Sequence, residues 1–459
     1  MRNLLTTTRA LFASGLLAAT LASGSALAAI PIQHWTQPSG AKVYLVESKS
    51  IPMVDVQIDF DAGERRDPAA KAGLADMTAD MTSKGVTAAK PLPDGVTAYP
   101  QAMDENQLGE AWADLGAGFD ADASRDRMSF SLRSLTDPEL LPKAIDLASR
   151  QLGEPSFPED VWQRERQRTA ASIREANTRP GTVAGHAFAH AVYGDHPYGY
   201  ETTEETLSHI DVQDMRALYQ RLLAPCRAKV SVVGAVSRAQ ADSMVAKLLS
   251  RLPAAGRCDP LPPVPEVAPL AAPVTRDIPF ASAQAHVLIG QPGYKRSDPD
   301  HFPLLVGNYI LGGGGFVSRL THQVRELRGL SYSVYSYFSP GLEAGAFVLG
   351  LETRPDQAQE AIQVARDVLV KFVADGPTET EMNAAKDNLI NGFPLLLDSN
   401  RKLLANVANI AWYDLPLNYL DTWVATVRRV TIPQMKAAFQ RKLQPDRMVT
   451  VVVGAASER

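Results

Sequence analysis

The feature that most limits what this chain can fold into is a repeat of itself: Val212 to Ser237 aligns without a gap on Ile432 to Ser457. In the first copy Met215, Ala217, Gln220, Arg221, Leu223, Pro225 and Arg227 lead into the apolar run from Lys229 to Gly234. The second copy carries Met435, Ala437, Gln440, Arg441, Leu443, Pro445 and Arg447 ahead of Val449 to Gly454. Each copy predicts a helix, a proline-marked stop and a buried strand. A chain that uses one such unit twice is an internal duplication, built as two homologous halves.

Between the copies Pro253, Pro260, Pro262, Pro263, Pro265, Pro269, Pro273 and Pro279 predict a stiff, extended connector over residues 253–279 rather than a packed element. The halves are then residues 29–252 and 280–459. In the first, Val54, Val56, Ile58 and Phe60 alternate with Asp55, Gln57 and Asp59, the period of a half-buried strand. In the second, Ala346 to Leu351 predicts another strand, followed by a helix from Asp356 to Val373. The pattern predicts an α+β fold in which each half is an antiparallel-rich sheet covered by helices.

Arg2 and Arg9 precede an Ala/Leu-rich run that ends in Ala26, Leu27 and Ala28, which predicts a cleaved signal peptide over residues 1–28 and a periplasmic address. No later run reaches the roughly 18 apolar residues that span a bilayer. The formal net charge of −5, with both signs interspersed, excludes a nucleic-acid partner, because no basic stretch could neutralise a row of phosphates. Cys226 and Cys258 enter a compartment that permits disulfides, and a bridge and two buried thiols are both compatible with the sequence.

Lys71 to Gly85 predicts a helix with Leu74, Met77 and Met81 on its apolar stripe. Here the chain resembles the pitrilysin and insulinase zinc metallopeptidases, in which a His-x-x-Glu-His helix supplies two metal ligands and a general base. That spacing serves the chemistry because side chains at i and i+4 share one helix face. The matching positions in this sequence are Asp76, Ala79 and Asp80. The imidazoles are gone and a methyl group stands where a base would be, so the resemblance implies that this chain holds no zinc and does not itself hydrolyse peptides. Two aspartates could instead bind a harder cation such as Ca²⁺ or Mg²⁺. The family's third ligand is a glutamate within Leu-Glu-Glu-Ile on a later helix, where this chain has Ala170, Ala171, Ser172 and Ile173. Glu165 and Glu175 on the same helix are expected to be solvent-facing charges.

The second half matches the family more closely. Arg325, Arg328, Gly329, Leu330 and Tyr332 reproduce its Arg-x-x-Arg-Gly-Leu-x-Tyr motif. The resemblance assigns Arg325 and Tyr332 to a pair that reaches over a zinc site, holds the substrate backbone and stabilises the developing oxyanion. A plainer reading is that Arg325 caps a helix and Tyr332 begins a strand. Gly312 to Gly315 lack the Lys-Ser/Thr of a phosphate loop and predict a helix end. His186 and His190, four apart with no carboxylate between them, predict a structural helix, and His196, Pro197, Tyr198 and Gly199 a turn typical of the family. No Gly-x-Ser-x-Gly nucleophile elbow occurs.

The resemblance therefore implies the non-catalytic subunit of a heterodimeric zinc peptidase. Zinc sits in a homologous partner, the two chains enclose a chamber for unstructured peptides, and Arg325 and Tyr332 act in trans. The rival expectation is an inert scaffold or peptide-binding protein.

Overall fold

The computed structural model describes residues 30–91, 97–253 and 258–454. The predicted signal peptide lies outside them, as does the end of the second repeat from residue 455. The duplication is visible strand by strand. The N-terminal sheet runs Gln33–Thr36, Lys42–Glu47, Lys229–Gly234, Met53–Phe60, Met128–Leu135, Gly118–Ala123. The C-terminal sheet, read from its opposite edge, runs Val274–Ile278, Val449–Val453, Ala285–Tyr294, Gly345–Thr353, Ser331–Phe338. Apart from the extra first strand the two orders coincide, and each sheet is antiparallel except for one parallel pair, Lys42–Glu47 on Lys229–Gly234 and Val274–Ile278 on Val449–Val453. Val274–Ile278 thus turns the last part of the proline-rich connector into an edge strand.

The repeated sequence makes the same unit twice. Asp211 and Thr431 each begin a helix with a capping box, Val212–Leu222 and Ile432–Lys442, which satisfies the first backbone donors. Pro225–Arg227 and Pro445–Arg447 form the short 3-10 turns that follow, and the strands Lys229–Gly234 and Val449–Val453 complete the unit. In the first turn Cys226 is bonded to Cys258, tying the start of the connector to the N-terminal half.

Met53–Phe60 departs from the half-buried strand that alternation predicts: Asp55 is 4% exposed and Asp59 0%. The cause is a helix from the other half. Asn400–Trp412 lies across Met53–Phe60 and Lys229–Gly234 and covers the polar face. Asp59 is satisfied there by Ser129 Oγ at 2.6 Å, Gln57 Nε2 at 2.9 Å and Arg127 Nη1 at 3.2 Å. Lys229 Nζ donates to the carbonyls of Ala411 and Trp412 at 2.8 and 3.0 Å, closing that helix's C-terminus with a cation. The exchange is reciprocal. Pro180–Tyr193, with proline at its first turn, crosses Ala285–Tyr294 and Val449–Val453, and a side chain at Gly290 would sit 2.8 Å from Phe188 Cζ. Ala184, Phe188 and Val192 bury against Ala346, Val348, Val449 and Val451.

The halves are also joined by a buried ionic cluster. Arg65 reaches Asp61 at 2.9 Å, Glu343 at 3.4 Å and Asp126 at 3.6 Å. Tyr198 Oη donates to Asp126 Oδ1 at 2.5 Å and accepts from the Glu343 N–H at 3.0 Å. The His196–Gly199 segment is therefore a clamp between the halves as well as a turn, and His196 Nε2 lies 2.9 Å from the connector carbonyl of Pro265. Among the described residues no helix is long and apolar enough to cross a membrane.

Candidate functional site

The helix that carries the family's metal motif spans Leu74–Met81 and starts from Gly73, whose φ of 95° is left-handed. The Asp67 carboxylate accepts from the N–H groups of Gly73 and Ala75, both at 3.0 Å, and so fixes the helix start. Burial pushes the Asp67 acid up to about 8, against the opposing pull of those backbone donors. Ala79 is 1% exposed and packs in the N-terminal core, so the position of the general base faces apolar side chains. Asp76 has its carboxyl raised by burial and then by the charges of Asp80 and Asp122. Glu64 is raised in the same way, by burial and then by Asp76. Arg168 links the motif to its own helix, Glu159–Ala176, lying 2.6 Å from Glu165 and 4.0 Å from Asp80. The expectation of a solvent-facing Glu165 is corrected here: it is 4% exposed and paired with Arg168 and Arg164, whereas Glu175 is exposed on its ion pair with Arg179.

Arg325 and Tyr332 stand at the other end of the duplication. Arg325 belongs to a π-helical segment, Thr321–Glu326, and Tyr332 to the edge strand Ser331–Phe338. The register shifts between Ser331 and Ser333, so Tyr332 sits in a bulge and its side chain is 79% exposed. Bulges re-aim side chains in this way. The Arg325 guanidinium lies 4.6 Å from the Tyr332 ring centroid and 4.9 Å from that of Phe316, itself 71% exposed. The plain reading holds in part, since Tyr332 does begin a strand. The glycine run ends the preceding helix in a π-helical turn, Tyr309–Gly313, and a 3-10 turn, Gly315–Val317. Gly312 is required where it stands, because a Cβ there would meet the Ser336 backbone N at 2.5 Å.

Within the chain the two sets are not brought together: among the described residues no hydrogen bond, ion pair or ring contact joins Asp76, Ala79 or Asp80 to Arg325 or Tyr332. His186 pairs with Glu201 at 2.7 Å, and His190 is exposed on the same helix, Pro180–Tyr193.

Sequence and structure comparisons bear on descent. The profile of Insulinase (Peptidase family M16) matches residues 42–206, and that of the Peptidase M16 inactive domain matches residues 209–389. A crystal structure of a peptidase M16 inactive domain from Pseudomonas fluorescens superimposes with a TM-score of 0.85 at 31% identity, covering 93% of this chain and 98% of that one. The chain belongs to peptidase family M16. This M16 chain is also 26% identical over 421 residues to an uncharacterized zinc protease of Streptomyces coelicolor, covering 88% of this chain and 86% of the relative. It is 22% identical to a non-peptidase homolog of Helicobacter pylori, covering 86% and 88%.

Zinc is the ion that membership of family M16 implies, and the residues present do not fit it. Asp76 and Asp80 offer oxygen where soft or borderline nitrogen ligands are wanted, Ala79 is a buried methyl, and Arg168 brings a cation to the motif. Among the described residues no group of three His, Cys, Asp or Glu side chains could hold a metal ion. Sequence reasoning missed two residues of this M16 site. Glu64 and Asp122 join the Asp76 field from a 3-10 turn and an edge strand, positions that only the fold makes neighbours. Phe316, at the other end of the duplication, is a further residue without a sequence signal, a single ring outside any repeat.

Proposed function

We propose that this chain is the non-cutting subunit of a two-chain zinc peptidase in the periplasm, lending Arg325 and Tyr332 to the active site of a homologous, zinc-bearing partner. The single observation that carries this reading is the contrast between a catalytic position filled by a buried methyl at Ala79 and an Arg325–Tyr332 pair left open to solvent. A merely degenerate enzyme has no use for an exposed tyrosine in a bulge beside an arginine whose donors are free among the described residues. In the pair, the Arg325 guanidinium and the Tyr332 hydroxyl donate to the substrate carbonyl as it becomes an oxyanion, and hydrolysis uses the base and metal of the partner. The substrates are unstructured peptides, because a chamber closed by two such chains admits extended segments and excludes folded domains. The likeness to a non-peptidase homolog supports the loss of cutting, and the likeness to proteins named as zinc proteases supports the peptide as ligand.

The test is co-expression with a zinc-bearing homologue from the same cell, followed by co-purification and hydrolysis of a quenched fluorescent peptide. The pair is expected to purify together and to hydrolyse the peptide in a chelator-sensitive way, with no turnover from this chain alone. Chelator-sensitive hydrolysis by the isolated chain would sink the reading.

A further inference from the structure

Arg325 is held in an unusual way. The arginines before and after it in the chain are tied by their donors: Arg319 grips Glu381 at 2.6 Å, and Arg328 donates to the Gln323 carbonyl at 2.7 Å. Among the described residues Arg325 has neither a carboxylate nor a carbonyl partner; its contacts are the rings of Phe316 and Tyr332, at 4.9 and 4.6 Å. A guanidinium keeps its five N–H donors in the plane of the group, and ring stacking uses the faces. Contact with rings holds the cation without engaging its N–H donors, whereas a carboxylate partner would hold it by consuming the donors it needs for substrate. Phe316 is 71% exposed, so burial of its own surface does not account for its place. Gly315, directly before it in the chain, adopts a left-handed φ of 59°.

We propose that Phe316 is a positioning residue for Arg325: its ring orients the guanidinium so that its free in-plane donors point at a peptide carbonyl held in the partner's site. The inference rests on the in-trans reading for its catalytic consequence, though the positioning itself is a property of this chain.

Two measurements separate the two claims. In the isolated chain with ¹⁵N,¹³C-arginine, the Arg325 side-chain resonances, assigned by their absence in Arg325→Lys, are expected to carry upfield ring-current shifts. Phe316→Ala should move them towards the values of a free arginine, and Phe316→Tyr should keep them. In the assembled pair Phe316→Ala should lower kcat about five-fold with KM within about two-fold, an effect of the size expected for one exposed cation–π contact. Phe316→Tyr should restore turnover, and Phe316→Ala should add nothing to Arg325→Ala. Unmoved Arg325 resonances in Phe316→Ala overturn the positioning role, as does an unchanged kcat in a pair that Arg325→Ala impairs. A pair in which Arg325→Ala changes nothing sinks the in-trans reading instead, and the arginine resonances still decide what Phe316 does.

Discussion

The outer strands Gly118–Ala123 and Ser331–Phe338 hold the same place in the two sheets, each paired antiparallel to the strand that equivalent parts of the duplication supply. Their chemistry is opposite. The first presents Asp120 and Asp122 to solvent, with Asp122 facing the already crowded carboxylates of Asp76 and Glu64. The second presents Tyr332, Tyr335 and Tyr337, of which the last two stack at 6.0 Å and the first lies under Arg325. A duplicated scaffold has thus kept its geometry while its two edges have diverged, one acidic beside the motif helix and the other aromatic beside Arg325. The difference teaches that strand order and pairing can stay the same while the side chains on equivalent edges change character.

That comparison can be broken by putting the lost groups back. Ala79→Glu would restore the base by name, but the position faces the core, so the change should cost about 3–5 kcal/mol as a buried carboxylate. Thermal unfolding would show a Tm lower by roughly 10 °C. A stable Ala79→Glu protein would mean that this face of the helix is not closed against the core. The two 3-10 turns of the repeat sharpen the asymmetry further, since Cys226 of the first stands where Asp446 occupies the second, and only the first is tethered to the connector. Replacing both cysteines by serine should lower stability by about 3.7 kcal/mol, as expected for a loop closed across 32 residues, measured by denaturant unfolding with and without reductant. Tyr198→Phe removes the hydroxyl that joins Asp126 of one half to the Glu343 backbone of the other, and should cost about 2 kcal/mol by the same assay.

The remaining expected effect is a slope in pH. Asp67 holds its proton in the folded chain up to about 8, while in the unfolded chain it loses it near the ordinary value of 3.8. Between those values the native state binds the extra proton, so Asp67 takes stability away as pH rises from about 4 to about 8. Asp67→Asn keeps an acceptor for Gly73 and Ala75 and stays neutral, so its Tm should fall less over that window than that of the parent. Parallel Tm–pH curves for the two proteins would contradict the assignment.

Much of the architecture was legible in the sequence because it is written twice and locally: helix, proline stop and strand recur with the same residues. The motif positions Asp76, Ala79 and Asp80 were legible for a similar reason, since fixed spacing on a helix needs no tertiary information. What was not legible depends on distant chain. Asp55 and Asp59 read as solvent-facing because the helix that covers them, Asn400–Trp412, comes from the other half. Glu165 reads as a surface charge until the fold sets Arg168 across it. The disulfide could not be chosen over two free thiols, because the approach of Cys226 to Cys258 is set by the path of the connector. Phe316 gave no periodic signal, being a single ring outside any repeat.

The central claim is that Arg325 of this chain works in another chain's active site. Its most direct test is Arg325→Ala in the assembled pair, with turnover of an unstructured peptide, pair stoichiometry and bound zinc measured on one preparation. Loss of an oxyanion donor predicts a kcat lower by about 10²–10³-fold, with the pair intact and its zinc unchanged. Unaltered turnover in an intact, zinc-loaded pair would contradict it.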